Sequence, residues 1–203
     1  MIKNTRLTAL LATGLCLAMA GSATAATKKA PAANPTPANP PASPATGGQE
    51  FGEPNLADVP VAGGSKARLL SSGKAAAPEG APEEVKEAIW AANRIIGKPY
   101  RYGGGHARFE DSGYDCSGTV SYALRGAGLL KSPLDSSSFM RWGKRGKGQW
   151  ITVFTNPGHA YVVIAGLRLD TSAADDPRGG KGPRWRPLRK SDSGFAARSP
   201  IGF

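Results

Sequence analysis

The apolar positions of this chain fall into two helical stripes followed by three strand-like runs. Val85, Ala88, Ile89, Ala92, Ile95 and Ile96 recur at spacings that place them on one side of a helix, the mark of a single buried face. Pro82 suits the first turn, Glu83, Glu84 and Glu87 lie near the positive end, and Gly97 supplies the stop. Val120, Ala123, Leu124 and Ala127 form a second stripe that opens at Cys116, with Gly126 and Gly128 as stops. A short helix is expected from Ser136 to Trp142, and strands near residues 149–155, 159–165 and 167–172. Helices first and strands afterwards predict an α+β domain in which N-terminal helices pack on an antiparallel sheet.

Upstream of the first stripe the pattern lapses. Lys3 and Arg6, an apolar run from Leu7 to Ala20, and Ala23-Thr24-Ala25 read as a secretory signal over residues 1–25, cut after Ala25. Residues 26–80 read as an Ala/Pro/Gly-rich disordered linker. Pro31, Pro35, Pro37, Pro40, Pro41 and Pro44 stiffen its first part toward polyproline II, and residues 31–44 could span roughly 40 Å. Leu56, Val59, Val61, Leu69 and Leu70 are candidates to dock on the domain, so the boundary near residue 80 is soft and residues 81–203 are left as one domain. Beyond the signal, no stretch is long and apolar enough to cross a membrane. An extracytoplasmic, monomeric product is expected. The net charge of +11 favours polyanionic partners, which for an exported protein means anionic envelope polymers rather than nucleic acid. The densest basic stretch, Gly179 to Arg186, carries Trp185, a candidate to stack on a sugar or an exposed peptide; the plainer alternative is a solvated loop.

The chain has two cysteines and two histidines. Signal cleavage would remove Cys16 and leave Cys116. A lone cysteine in an exported protein cannot close an intramolecular disulfide, so it is a small buried hydrophobe, a link to another chain, or a reactive group. Its setting, Tyr114-Asp115-Cys116-Ser117-Gly118, places it in the first turn of the second helix with Asp115 as N-cap. There the helix dipole and free amides favour the thiolate, which points to a nucleophile. Of the two possible bases, His106 sits in a glycine-rich connection, Gly103-Gly104-Gly105-His106, and reads as a solvated loop residue. His159 follows the turn Asn156-Pro157-Gly158 and opens an apolar β-branched run to Gly166, so it stands at the mouth of a strand as a candidate base; the alternative is a strand-end histidine without a role.

The residue that orients the imidazole is sought on the next strand. If Ala165-Gly166 is a two-residue turn, residue 159 stands opposite 172 and Asp170 shares the histidine's face; a three-residue turn would present Thr171 instead. Asp170 is preferred because a carboxylate both orients an imidazole and stabilises its cation. The competing reading pairs Asp170 with a surface arginine. Without His-x-x-x-His or Cys-x-x-Cys spacing, no metal site and no cofactor are expected.

Lys98-Pro99-Tyr100-Arg101-Tyr102-Gly103-Gly104, then Asp115-Cys116-Ser117-Gly118, then Gly158-His159 heading a strand resemble the NlpC-type (NlpC and p-sixty superfamily) cell-wall cysteine peptidases, over roughly residues 82–173. The resemblance implies a papain-like fold and an endopeptidase that cleaves amide bonds of peptidoglycan stem peptides, at a γ-D-glutamyl-diamino acid linkage. It implies Cys116 as nucleophile, His159 as base, Asp170 or Thr171 as the third member, Tyr100 as a donor to the oxyanion, and Asp115 and Ser117 as ligands for the free amine of a stem peptide. Capping and turn geometry are the alternative roles of Asp115 and Ser117. The resemblance departs in two places: Gly146 to Phe154 lacks the aspartate usual before that strand, and the loop His106 to Tyr114 is longer and carries Glu110 and Asp111. Two other readings remain beside it, a CHAP-like amidase and a wall-binding protein without activity.

Overall fold

The computed structural model describes residues 60–203; the expected signal and proline-rich stretch lie outside the described residues. The first helical stripe forms α1, Glu83–Ile95, with Glu83 and Glu84 in its first turn and Arg94 in its last, charges that complement the helix dipole. The second forms α2, Cys116–Gly126, and the short helix forms α3, Ser136–Phe139. The two long helices pack on each other, and α2 also lies on the central strands of the sheet.

Three strands fall where the alternation and turn residues indicate: β5 Ile151–Asn156, β6 His159–Ile164 and β7 Leu167–Asp170. They form the middle of a six-stranded antiparallel sheet in the order β4-β9-β5-β6-β7-β8, where β4 is Lys144–Arg145, β8 is Arg184–Arg186 and β9 is Ala196–Ser199. The link between β6 and β7 is the two-residue turn Ala165-Gly166, with φ of 46° and 84°. Positive φ at both positions is what a tight type I′ hairpin turn requires. The register follows from it: Ile164 pairs with Leu167, Val163 with Arg168 and Val162 with Leu169. Val85, Ala88, Ile89, Val120, Leu124, Phe139, Ile151, Val153, Val162, Ile164 and Leu169 meet in one core between helices and sheet, each large aliphatic contributing roughly 1.5–3 kcal/mol of burial.

Two expectations are corrected here. The chain is already ordered well before residue 80. Val61–Ala62 (β1), Arg68–Leu69 (β2) and Ala75–Pro78 (β3) form a small sheet in the order β1-β3-β2, and Ala75, Ala76 and Ala77 are buried. Asn93 of α1 holds this sheet: its Oδ1 accepts from the Ala75 amide at 2.8 Å and its Nδ2 donates to the Ala75 carbonyl at 2.8 Å. Alanines carry too little apolar surface to write a strand pattern, so the order comes from partners distant in sequence. Trp185, in turn, is not a solvated stacking surface. It is 1% exposed, packs in the core from β8, and donates its Nε1 to Asn93 Oδ1 at 2.8 Å. Arg186 beside it is fully buried, so the basic stretch 179–186 is only partly a surface.

Candidate active site

Cys116 is the first residue of α2 and is half-buried. Asp115 caps the helix, its Oδ1 accepting from the Gly118 amide at 2.7 Å. The glycine-rich loop is laid directly over this turn. The Asp115 amide donates to the Gly104 carbonyl at 3.2 Å, the Gly103 amide donates to Asp115 Oδ2 at 3.0 Å, and any side chain at residue 118 would collide with the Gly104 carbonyl. A parallel bridge between Tyr100 and Tyr114 clamps the same loop from its other end. The two motifs singled out in the sequence are therefore one packed unit, and glycine at 118 is what the close approach demands.

His159 is aimed by the turn that precedes it. Asn156 Oδ1 accepts from the amides of Gly158 and His159 at 3.0 and 2.9 Å, and Ser136 of α3 donates to the Pro157 carbonyl at 3.0 Å. The imidazole Nε2 lies 2.9 Å from Asp170 Oδ1. The ring and the Ala160 amide also stand close enough to the Cys116 thiol to act on its ionisation. Burial alone would raise the Cys116 thiol; the hydrogen bonds from His159 and Ala160 and the imidazolium charge outweigh it, and the thiol lies below its usual range. Burial likewise opposes a charge on His159, but its bonds to Asp170 and Cys116 win, and its proton is held up to about 9. Both shifts favour the proton on the imidazole over the proton on the thiol.

The structure brings Cys116, His159 and Asp170 together. Asp170 is buried at the end of β7, its Oδ1 accepting also from the Ser172 amide at 2.8 Å. Thr171 is buried but held through its backbone, its carbonyl accepting from the Gly182 amide at 3.2 Å. The arginine beside Asp170 is not on the surface: Arg168 is fully buried, with Nη1 3.3 Å from Asp170 Oδ2. Tyr100 is 43% exposed. Its phenol is raised by burial and then by the charges of Cys116 and Asp115. Asp115 and Ser117 are engaged within the protein: Asp115 Oδ1 also meets His106 Nε2 at 2.9 Å and accepts from Ser117 Oγ at 3.2 Å. Trp185 is not brought to the site.

His106 is the residue that the sequence reading passed over. It is 25% exposed, its Nε2 also 3.2 Å from Ser117 Oγ, and its hydrogen bond to Asp115 raises its proton affinity against the pull of burial. The signal was present in the pairing of the two motifs, since a loop that lays Gly104 on the α2 start carries the residue two positions on toward Asp115. Burial works against the Asp115 charge, yet the bonds from His106, Gly118 and Gly103 hold its carboxyl below the usual range. A cleft of about 400 Å³ opens beside this loop, lined by Arg101, Tyr102, Gly103, Gly104, Ala107, Arg108 and Asp111. Among the described residues no cluster of three or more His, Cys, Asp or Glu has the arrangement to hold a metal ion, and no helix is long and apolar enough to cross a membrane.

No family model and no curated protein matches the chain. Solved structures that match it include NlpC/P60 proteins. The peptidoglycan hydrolase RipB from Mycobacterium tuberculosis is 24% identical, with 60% of this chain and 66% of that one covered and a TM-score of 0.46. An NlpC/P60 family protein from Bacillus cereus is 19% identical, with 58% and 40% covered and a TM-score of 0.44. RipD from Mycobacterium tuberculosis, a non-catalytic NlpC/p60 domain protein adapted to peptidoglycan binding, is 19% identical, with 59% and 98% covered and a TM-score of 0.43. The chain thus spans just under two thirds of the length of the RipB structure.

Proposed function

We propose that this chain is an extracytoplasmic cysteine hydrolase that cleaves amide bonds in peptidoglycan stem peptides, at the γ-D-glutamyl-diamino acid linkage. The reading rests on one observation: a single imidazole, His159, is bonded to a buried carboxylate at 2.9 Å and stands beside a thiol at a helix start whose ionisation it favours. That is the arrangement a nucleophilic thiol needs, and a structural cysteine does not. With Nε2 given to Asp170, Nδ1 is the nitrogen left to exchange a proton with the thiol.

The chemistry follows atom by atom. The Cys116 thiolate attacks the carbonyl carbon, and the electron pair of the C=O bond moves to oxygen. The Cys116 amide, among the first-turn donors that α2 leaves unused, and the Tyr100 hydroxyl would receive that charge; one such donor is worth about 10²- to 10³-fold in rate. His159 gives its proton to the leaving nitrogen as the C–N bond breaks, leaving an acyl thioester. Water then attacks the thioester, His159 takes the water proton, and the carboxylic acid departs as the thiolate returns. Asp170, rather than Thr171, orients the imidazole. Asp115 and Ser117 shape the first turn of α2 and anchor the loop above it. Excess positive charge favours residence among anionic envelope polymers.

Digestion of purified muropeptides, with the fragments weighed, tests this reading. Cleavage on the carboxyl side of the glutamyl residue is expected, and both Cys116→Ala and His159→Ala should abolish it. Release of intact stem peptides from the sugar would make the protein an amidase, and retention on the wall without fragments would make it a binder.

A further inference from the structure

We propose that Arg168 is a positioning residue of this site: lodged inside the sheet, its guanidinium fixes the Asp170 carboxylate in the orientation that serves His159. The inference rests on the cysteine-hydrolase reading above and extends it to a residue behind the reacting groups.

Arg168 and Asp170 lie two residues apart on β7 and so on one face of it. Arg168 is 0% exposed, opposite Val163 on β6 and Arg186 on β8. A buried guanidinium costs several kcal/mol to desolvate unless an anion and acceptors meet it. Its Nη2 donates to the Ala174 carbonyl at 2.6 Å, and its Nη1 approaches Asp170 Oδ2 at 3.3 Å. The second contact lacks hydrogen-bond geometry, and neither Nη1 nor Oδ2 has a hydrogen-bond partner among the described residues. It is a contact between charges, and it uses the one oxygen of Asp170 that His159 and Ser172 leave open, since both of those bond to Oδ1.

The neighbouring charges do not substitute for it. Arg186 is matched by Asp176 Oδ2 at 2.8 Å and by the carbonyls of Gly179 and Gly180, and its Nε donates to the Asp170 backbone carbonyl rather than to the carboxylate. Arg184 pairs with Asp170 along the β7–β8 ladder, but its side chain lies by Gly180. Arg189 stacks over Tyr161 and Phe195, and Tyr161 donates to Asp192. Cys116 reaches the group only through His159. Among the described residues, Arg168 is the charged group that approaches the free oxygen of the carboxylate. Without it, a buried carboxylate would keep only His159 and a backbone amide, both on Oδ1; such a group turns more readily, and turning releases the imidazole.

The rate of Cys116 alkylation by iodoacetamide across pH 4 to 9, on the full chain, tests this without any peptide substrate. In Arg168→Met the acidic limb should move up by about one pH unit, a loss of about 10-fold at pH 6, and Arg168→Lys, which keeps the charge, should recover most of it. A residue that merely filled space would change melting temperature and leave the limb in place. Should Arg168→Met not fold, the cycle on Asp170→Asn decides: adding Arg168→Met to that variant should alter the rate by less than about 2-fold if the arginine acts through Asp170. A limb unchanged in folded Arg168→Met, or a further loss of about 10-fold in the double variant, overturns the inference alone. An unreactive wild-type thiol would sink the hydrolase reading and this inference together.

Discussion

Cys116 and His159 share one proton, and the surroundings of each push it toward the imidazole. The thiol lies below its usual range and the imidazole is held up to about 9, so thiolate and imidazolium coexist between those two limits. Hydrolysis should therefore rise with pH as the thiol ionises and fall again as pH passes about 9, where His159 can no longer give a proton to the leaving amine. A muropeptide-hydrolysis profile without that alkaline fall would remove His159 as the acid. The same raised value has a consequence for stability. Because the folded imidazole holds its proton more tightly than the unfolded one, its contribution is complete below about pH 6.5 and is lost as pH rises through about 9. Urea midpoints of wild type and His159→Gln should accordingly converge between pH 6 and pH 9.5. Next to them, Asp170→Ala should cut turnover by about 10²-fold or more and Thr171→Val by far less. Equal turnover in Asp170→Ala and wild type would move the orienting role to Thr171. At this scale the sequence showed the positions but not their depth. The setting of Cys116 and the strand-start histidine were legible from local residue types, whereas the bond between His106 and Asp115 and the burial of Arg168 depend on elements folding over one another.

Elements were legible where their periodicity was local and their ends punctuated. The α1 and α2 stripes and the β5 to β7 runs carry both signals, and the parity of the Ala165-Gly166 turn leads directly to the register seen, with Ile164 against Leu167. β8 and β9 carried neither. Arg184, Trp185 and Arg186 read as a basic loop because two of three positions are charged, yet Arg186 and Trp185 are both buried, their polar atoms absorbed by Asp176 and Asn93. Trp185 is then a structural residue, and its substitution should behave as such. Trp185→Ala should destabilise the fold by about 3–5 kcal/mol, the usual cost of emptying a core tryptophan site. Trp185→Phe should cost less, chiefly through the lost bond to Asn93, about 1–3 kcal/mol. Neither should weaken binding to isolated wall glycan under conditions where the variant is folded. Glycan binding lost in folded Trp185→Phe would return the indole to the surface and contradict its packing.

For the whole molecule, the helix-then-sheet order of an α+β fold could be read from the sequence, while the start of the ordered chain could not. Residues 61–78 have few large apolar side chains and many Gly, Ser and Lys, the composition of a linker. What orders them is remote: β3 lies against α1, the Ala75 amide and carbonyl are both taken by Asn93, and the Ala67 amide donates to the Ala165 carbonyl at 2.8 Å at the β6–β7 turn. The small sheet thus ties the outer face of α1 to the hairpin that carries His159 and Asp170. A chain that begins at residue 81 would expose that face, leave the Asn93 side chain with only the Trp185 indole, and free the Ala165 carbonyl. Buried alanines contribute modestly, about 0.8 kcal/mol per buried CH₂-sized group, and each lost hydrogen bond about 1 kcal/mol. The sum is a few kcal/mol, enough to lower the melting temperature by roughly 10 °C in a domain of this size. A chain that begins at residue 60 should melt near the full-length protein, and one that begins at 81 well below it, with slower Cys116 alkylation at neutral pH because the hairpin has lost a brace. Equal melting temperatures for the two truncations would show that the small sheet rests on the domain without supporting it.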